Sequence, residues 1–167
     1  MHQHRIPILD FLHRSLLAEQ TFSGFGVGFD IVQISQVVGS LQAFGEAFRK
    51  RLFTRGELIY ACCDERLCAE RLAARFAAKE AVIKALQLSE VGVDWRDIEV
   101  IKQPDGNCYL QLHGYVAELA LSMGATQWLL SMSHDGDYAG AVVIALGFTP
   151  HLQISEITSK EKNVGIH

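Results

Sequence analysis

This chain of 167 residues has no run of about 18 apolar residues, the length a helix needs to cross a bilayer, so no membrane span is expected. Its first twenty residues, MHQHRIPILDFLHRSLLAEQ, lack the unbroken apolar stretch and small-residue cleavage site of a secretory signal, which points to the cytoplasm. An excess of positive charge is also missing. Fifteen Lys and Arg against nineteen Asp and Glu leave a formal net charge of −4, which argues against a broad nucleic-acid surface. The four cysteines, Cys62, Cys63, Cys68 and Cys108, contain no C-x-x-C pair, and neighbouring Cys62 and Cys63 are poorly placed to bond each other. All four are expected as free thiols rather than as a metal or redox site. There is no internal repeat, no low-complexity tract and no H-E-x-x-H spacing. What remains, 49% hydrophobic and 20% charged, is an ordinary globular composition with the length for one domain and one core.

The chain divides at its composition shifts. Residues 1–23 read as an N-terminal extension, in which Leu9, Leu12 and Leu16 at spacings of three and four predict a short amphipathic helix before the polar break QTFSG. Residues 24–147 form the domain, and 148–167 a loose polar tail. Within the domain, GVGFDIVQI is a strand and residues 36–47 are helical. The stretch FTRGEL opens a second helix, over 55–63, through the capping box of Thr54 and Glu57. Residues 68–88, free of Gly and Pro and rich in strong helix formers, make the longest helix. DWRDIEVIK and CYLQLHG are strands joined by a Pro104-Asp105-Gly106 turn. A helix over YVAELALSM ends at Gly124, and the strands TQWLLSMS and YAGAVVIAL are joined by HDGD. This order predicts a single α+β domain, an antiparallel or mixed sheet packed on a long central helix, rather than alternating βαβ units.

The long helix carries the chemical information. Leu72, Phe76, Ile83 and Gln87 share one arc, with Glu80 inside it, while Ala74, Ala78, Ala81 and Ala85 form an opposite small-residue seam that admits a close neighbour. A helix apolar on both faces is central, and a carboxylate on it requires a cation. Lys84 is one turn on, and Arg75 and Lys79 project from the other flank of the arc. Taken on the helix alone, Glu80 and Lys84 read equally as an ordinary i,i+4 surface pair. Asp30, in an apolar strand, and His134, at the end of WLLSMSH, are further polar points at strand positions. Asp30, Glu80, Lys84, Arg75 and His134 together offer two hard oxygen ligands and several cations, the equipment for Mg²⁺ with a phosphate-bearing ligand. Ser133-His134-Asp135 is not a triad, because consecutive strand residues point to opposite faces. The glycines of GFGVGFDIVQI do not open a helix, so they serve a strand, through close packing, rather than a phosphate loop.

Six blocks in this order, GVGFDIVQI, LFTRGEL, AERLAARFAAKEAVIKAL, DWRDIEV, YLQLHG and LLSMSHDGDYAGAVVIAL, resemble the AcpS-type holo-[acyl-carrier-protein] synthases, small 4′-phosphopantetheinyl transferases. The resemblance implies transfer of 4′-phosphopantetheine from coenzyme A to a serine of an apo acyl carrier protein, with release of adenosine 3′,5′-bisphosphate. It implies that Asp30 and Glu80 hold Mg²⁺ with the CoA pyrophosphate and that Lys84 meets the phosphates. Arg75 and His134 would lie at the CoA nucleotide. Glu80, Lys84 and Asp30 are then the catalytic set, in a homotrimer with sites between subunits, acting in fatty-acid biosynthesis. The chain departs from the family's usual pattern twice. Gln87-Leu88-Ser89 stands where a Gly-Thr-Gly loop is usual, and Gln36 where the I-x-R-I pattern has arginine, leaving Arg49, Lys50, Arg51 and Arg55 as the basic cluster for an acidic carrier. The alternative is a non-catalytic CoA-binding or carrier-binding module of the same fold.

Overall fold

In the computed structural model, residues 20–150 are described, with side chains over 26–147. The expected helix near Leu9 and the tail beyond Pro150 lie outside the described residues. The unit Ser23–Gly147 carries everything below. Strand β1 (Gln20–Gln33) leads directly into helix α1 (Ile34–Leu52), followed by α2 (Arg55–Ala61) and α3 (Glu65–Ala85). A 3₁₀ turn at Trp95–Asp97 precedes β2 (Ile98–Lys102), and then come β3 (Cys108–Leu112), α4 (Gly114–Ser122), β4 (Ala125–Asp135) and β5 (Tyr138–Pro150). The strands form a three-stranded sheet, β1-β5-β4, and an antiparallel pair, β2-β3. The α+β architecture is as expected, with α3 central. Among the described residues no helix is long and apolar enough to cross a membrane.

Several element ends move from their expected places. β1 starts at Gln20 rather than Gly26, so the QTFSG stretch is strand. α1 extends to Leu52 and is broken at Gly45, whose φ of 51° and ψ of −125° are not helical. α3 begins at Glu65, three residues early, because the Asp64 side chain accepts from the Arg66 N–H and caps it. The capping box at Thr54 and Glu57 is present as expected.

Helix α3 is the core. Leu72, Ala73, Ala77, Ala78, Ala81 and Val82 are all sealed from solvent, packed among Ile98 and Val100 of β2 and Ala139, Ala141 and Val143 of β5. The alanine seam does admit a close neighbour, and that neighbour is β1. A Cβ added at Gly28 would run into the carbonyl of Ala81, and one at Gly26 into the carbonyl of Ala85. These glycines are packing residues, as their place in a strand implied.

A fully buried ion pair ties the helices to the second sheet. Lys79 Nζ donates to Glu57 Oε2 at 2.8 Å, with both side chains 0% exposed. It also donates to the carbonyls of Trp95 and Ile98, while Glu57 Oε1 accepts from the Val100 N–H at 3.0 Å and Glu57 Oε2 from the Thr54 N–H at 2.9 Å. Burial pulls the Lys79 pKa below the usual lysine value, and the Glu57 charge opposes that shift. Lys79 therefore answers Glu57, and is not the partner of Glu80.

The expectation of four free thiols is corrected: Cys62 and Cys68 form a disulfide, with Cα atoms 4.4 Å apart. The sharp turn between α2 and α3 brings together cysteines six apart in sequence, a pairing that neither a C-x-x-C spacing nor the Cys62-Cys63 dipeptide discloses. Cys63 and Cys108 are free.

Three stability outcomes are expected in urea unfolding. Gly28→Ala should cost about 1–3 kcal/mol or prevent folding, since the obstacle is backbone. Gly39→Ala, with nothing within 4 Å of the added Cβ in the helical α1, should gain about 0.5–1 kcal/mol. Lys79→Met should cost about 3–5 kcal/mol by stranding Glu57, and adding Glu57→Gln should recover part of that loss.

Candidate functional site

Alternation along β1 decides where Asp30 points. Val27, Phe29 and Ile31 face outward and are more than half exposed, whereas Gly26, Gly28, Asp30 and Val32 face the helix. With Gly26 set against Ala85 and Gly28 against Ala81, Asp30 falls beside the same stretch of α3 and meets side chains that leave its edge. Lys84 Nζ donates to Asp30 Oδ1 at 2.7 Å and to the Phe29 carbonyl at 3.2 Å. This bond raises the Lys84 pKa above its ordinary value.

Glu80 is the unbalanced member. Partial burial, and then the charge of Asp30 beside it, push its carboxyl above the usual glutamate value, with Lys84 acting in the other direction. Among the described residues Glu80 has no ion pair. The expected Glu80–Lys84 pair is replaced by Asp30–Lys84, because the strand delivers a second carboxylate that the helix alone does not reveal. Two carboxylates sharing one lysine leave an excess negative charge, a natural seat for a divalent cation. No group of three or more His, Cys, Asp or Glu that could hold a metal occurs among the described residues. The donor set is thus two carboxylates, which suits Mg²⁺ when waters and phosphate oxygens complete the shell.

Arg75 and His134 lie together at a second station. They line a cavity of about 480 Å³ with Tyr60, Glu70, Arg71, Lys102, Asn107 and Ser133. Arg75 is 3% exposed, and its guanidinium lies over the Tyr60 ring with Cζ 4.5 Å from the centroid. Its Nη1 donates to the Arg71 carbonyl at 3.0 Å, but its Nε and Nη2 are buried without a partner. Burial lowers the pKa of Arg75 from its ordinary value. Two donors of a buried guanidinium beside the cavity are thus left unsatisfied, a cost that an anion accepting from them would relieve. His134 Nε2 sits 2.8 Å from Glu70 Oε1 at the rim. Five residues separate Arg75 from Glu80 on α3, roughly 7–8 Å of helix rise, so one helix carries both stations.

Sequence reasoning did not find Tyr60, Glu70, Arg71, Lys102 or Asn107. The one available signal was Arg71, four residues before Arg75 and hence on the same face of α3. Gln87, in the place of the family's usual first loop glycine, adopts φ 56°, a left-handed conformation that glycine provides without strain.

The sequence profile of the 4′-phosphopantetheinyl transferase superfamily matches residues 26–143. The chain belongs to that superfamily. Within it, the chain is an AcpS-type transferase. A holo-[acyl-carrier-protein] synthase of Gloeobacter violaceus is 41% identical over 132 residues, covering 79% of this chain and 99% of that protein. One from Salinispora arenicola is 44% identical over 119 residues, covering 71% and 95%. Among solved structures, the ACPS–CoA complex of Chronobacterium ammoniagenes aligns with a TM-score of 0.65 at 36% identity, covering 76% of this chain and 99% of that one. The Helicobacter pylori synthase in complex with coenzyme A aligns at 0.62 with 26% identity, covering 72% and 99%.

The raised pKa of Glu80 in this AcpS-type chain has a signed consequence. The folded state holds the Glu80 proton more tightly than the unfolded state, so this group's contribution to stability is full below the ordinary glutamate pKa near 4.3 and is lost as pH rises through the folded value. Unfolding midpoints measured between pH 4 and pH 7 should show that loss in the wild type. Glu80→Gln should remove it and leave the apo protein the more stable of the two at neutral pH.

Proposed function

We propose that this protein transfers 4′-phosphopantetheine from coenzyme A to a serine of an apo acyl carrier protein, in a Mg²⁺-dependent reaction that releases adenosine 3′,5′-bisphosphate. The observation that carries the proposal is the two-station helix. The unbalanced Asp30–Glu80 pair with Lys84 lies one and a half turns from a cavity walled by a buried arginine with free donors. CoA carries its charge in two corresponding places, the pyrophosphate and the 3′-phosphorylated nucleotide.

In this scheme Arg75 and His134 hold the nucleotide, and Asp30 and Glu80 hold the metal. Lys84, whose side chain is about half exposed, serves the pyrophosphate oxygens. Magnesium, when bound, offsets the charge that builds on the phosphate oxygens. The serine oxygen attacks the phosphorus attached to pantetheine, and the bond from that phosphorus to the departing bisphosphate breaks. Cations aimed at the leaving group are the main catalytic device. The serine proton needs an acceptor, and Glu80, directly or through a water, is the carboxylate of this station that fits that role. The left-handed backbone at Gln87 supports activity over the non-catalytic alternative, since it gives the chain at this point the conformation a glycine would supply.

The proposal extends to assembly and partner. Val27, Phe29, Ile31, Leu129, Tyr138 and Val142 leave an exposed apolar face on the β1-β5-β4 sheet, and several of them line one depression of about 290 Å³ together with Ser133 and His134. Another copy of the chain covering this face would border His134, as a homotrimer with sites between subunits requires. Arg51 and Arg55, exposed and in no ion pair among the described residues, are free to meet an acidic carrier, while Arg49 and Lys50 share Glu46. Residues 24–147 are the transferase domain, and the setting is cytoplasmic lipid synthesis.

The test is incubation with apo carrier protein, CoA and Mg²⁺, read by intact mass as a phosphopantetheine adduct on the carrier. Asp30→Ala and Glu80→Ala should each reduce the rate by about 100-fold or more while the protein stays folded and oligomeric. CoA binding without an adduct on any carrier from the same organism would sink the transferase assignment. Unfolding of both variants would mean that the carboxylates are structural.

A further inference from the structure

Three of the four cysteines gather at the turn between α2 and α3, outside the carboxylate station. The Cys62–Cys68 disulfide forms part of the wall of a separate groove of about 410 Å³, lined also by Val38 and Leu41 of α1 and Glu65 of α3. Cys62 is partly exposed and Cys68 only 6% exposed, so a thiol arriving from solvent meets the Cys62 sulfur first. Arg49 Nη1 stands 4.0 Å from that sulfur. Cys68 is the fourth residue of the 21-residue α3, where the helix N-terminus favours a thiolate leaving group. An accessible sulfur with a stabilised leaving group beside it is the arrangement that makes a disulfide exchangeable.

The same turn is joined to the anion cavity. Tyr60, two residues before Cys62, has the guanidinium groups of Arg71 and Arg75 over its ring, at 5.1 and 4.5 Å. Arg71 Nη1 donates to the Tyr60 carbonyl at 3.3 Å and to Cys63 Sγ at 3.2 Å. Tyr60, Arg71 and Arg75 all line the 480 Å³ cavity. The disulfide fastens the end of α2, which carries Tyr60, to the first turn of α3.

We propose that Cys62–Cys68 is a thiol–disulfide exchange site for dithiol reductants, and that its redox state sets how tightly the adjoining cavity holds an anionic nucleotide. One thiolate of the reductant attacks Cys62 Sγ, the bond to Cys68 breaks, and Cys68 leaves as a thiolate. The second thiol of the reductant then displaces Cys62 from the mixed disulfide. The reductant departs as its own disulfide, having supplied two electrons, and its two protons end on Cys62 and Cys68. Opening the staple frees the α2 end and with it the ring on which Arg71 and Arg75 rest, so the reduced form binds more weakly.

The coupling rests on the cavity being the nucleotide station of CoA, and the test separates the two. Alkylation with iodoacetamide under denaturing conditions, read by intact mass, should label two thiols before dithiothreitol treatment and four after it. Calorimetric titration with adenosine 3′,5′-bisphosphate should give a Kd at least ~5-fold higher for the reduced wild type. Cys62→Ser/Cys68→Ser should match the reduced value and ignore dithiothreitol. Four labelled thiols without reductant, or equal Kd values in the two wild-type states, would overturn the proposal. Failure of the bisphosphate to bind either state would overturn the cavity assignment itself, and the coupling with it.

Discussion

β1 can lie on α3 only because two of its residues have no side chain. Gly26 and Gly28 touch the backbone of Ala85 and Ala81, and no other residue type leaves the strand that close. The geometry of the site follows from this contact. A strand held at that distance, with a period of two, delivers Asp30 to the edge of α3, where Lys84 and Glu80 emerge at helical spacing. A strand displaced by the width of a methyl group would leave Glu80 and Lys84 as a surface pair of the ordinary kind. The carboxylate station is thus a product of backbone packing, and the alanines of α3 are as much a part of it as the charged residues.

The same helix treats its buried charges in opposite ways. Lys79 spends all its donors on Glu57 and on two carbonyls, which binds α2, α3 and the start of β2 into one rigid body. Arg75, one turn earlier and almost as deeply buried, leaves two nitrogens without partners. The first arrangement is what stability selects, since a satisfied buried pair resists disruption. The second is unfavourable unless something anionic arrives, and it occurs where the cavity opens. Satisfaction of hydrogen bonds therefore tells the two cations apart on a helix where sequence spacing treats them alike.

Much of this was legible in local patterns. The capping box at Thr54, the turns at Gly106 and Gly136, the strand character of the glycine stretch and the burial of α3 all depend on residues within a turn or a few positions of one another. The helix arc also singled out Glu80, and the apolar strand singled out Asp30, whereas Arg75 and Lys79 were placed together on the flank of that arc with nothing to tell them apart. What escaped depends on contacts across tens of residues. Lys79 answers Glu57 from 22 positions away, and Lys84 chooses Asp30 from 54 away over Glu80 at four. The Cys62–Cys68 bond needed the angle of the α2–α3 turn, which no spacing rule encodes. The cavity wall was missed for the same reason, since Tyr60, Lys102 and Asn107 converge on Arg71 and Arg75 from separate elements.

Helix α1 begins without a cap from its own Gln33. Asp137, at the β4–β5 turn, supplies one instead: its carboxylate accepts from the Ser35 N–H at 2.8 Å and hydroxyl at 2.7 Å, and its carbonyl accepts from the Ile34 N–H. These bonds hold the Asp137 carboxyl below the usual aspartate value. The hairpin that carries His134 and the helix that follows Asp30 consequently share one hinge pin. Three short bonds thus tie the first turn of α1 to the hairpin whose β4 strand brings His134 to the rim of the cavity, by a route that does not pass through the core.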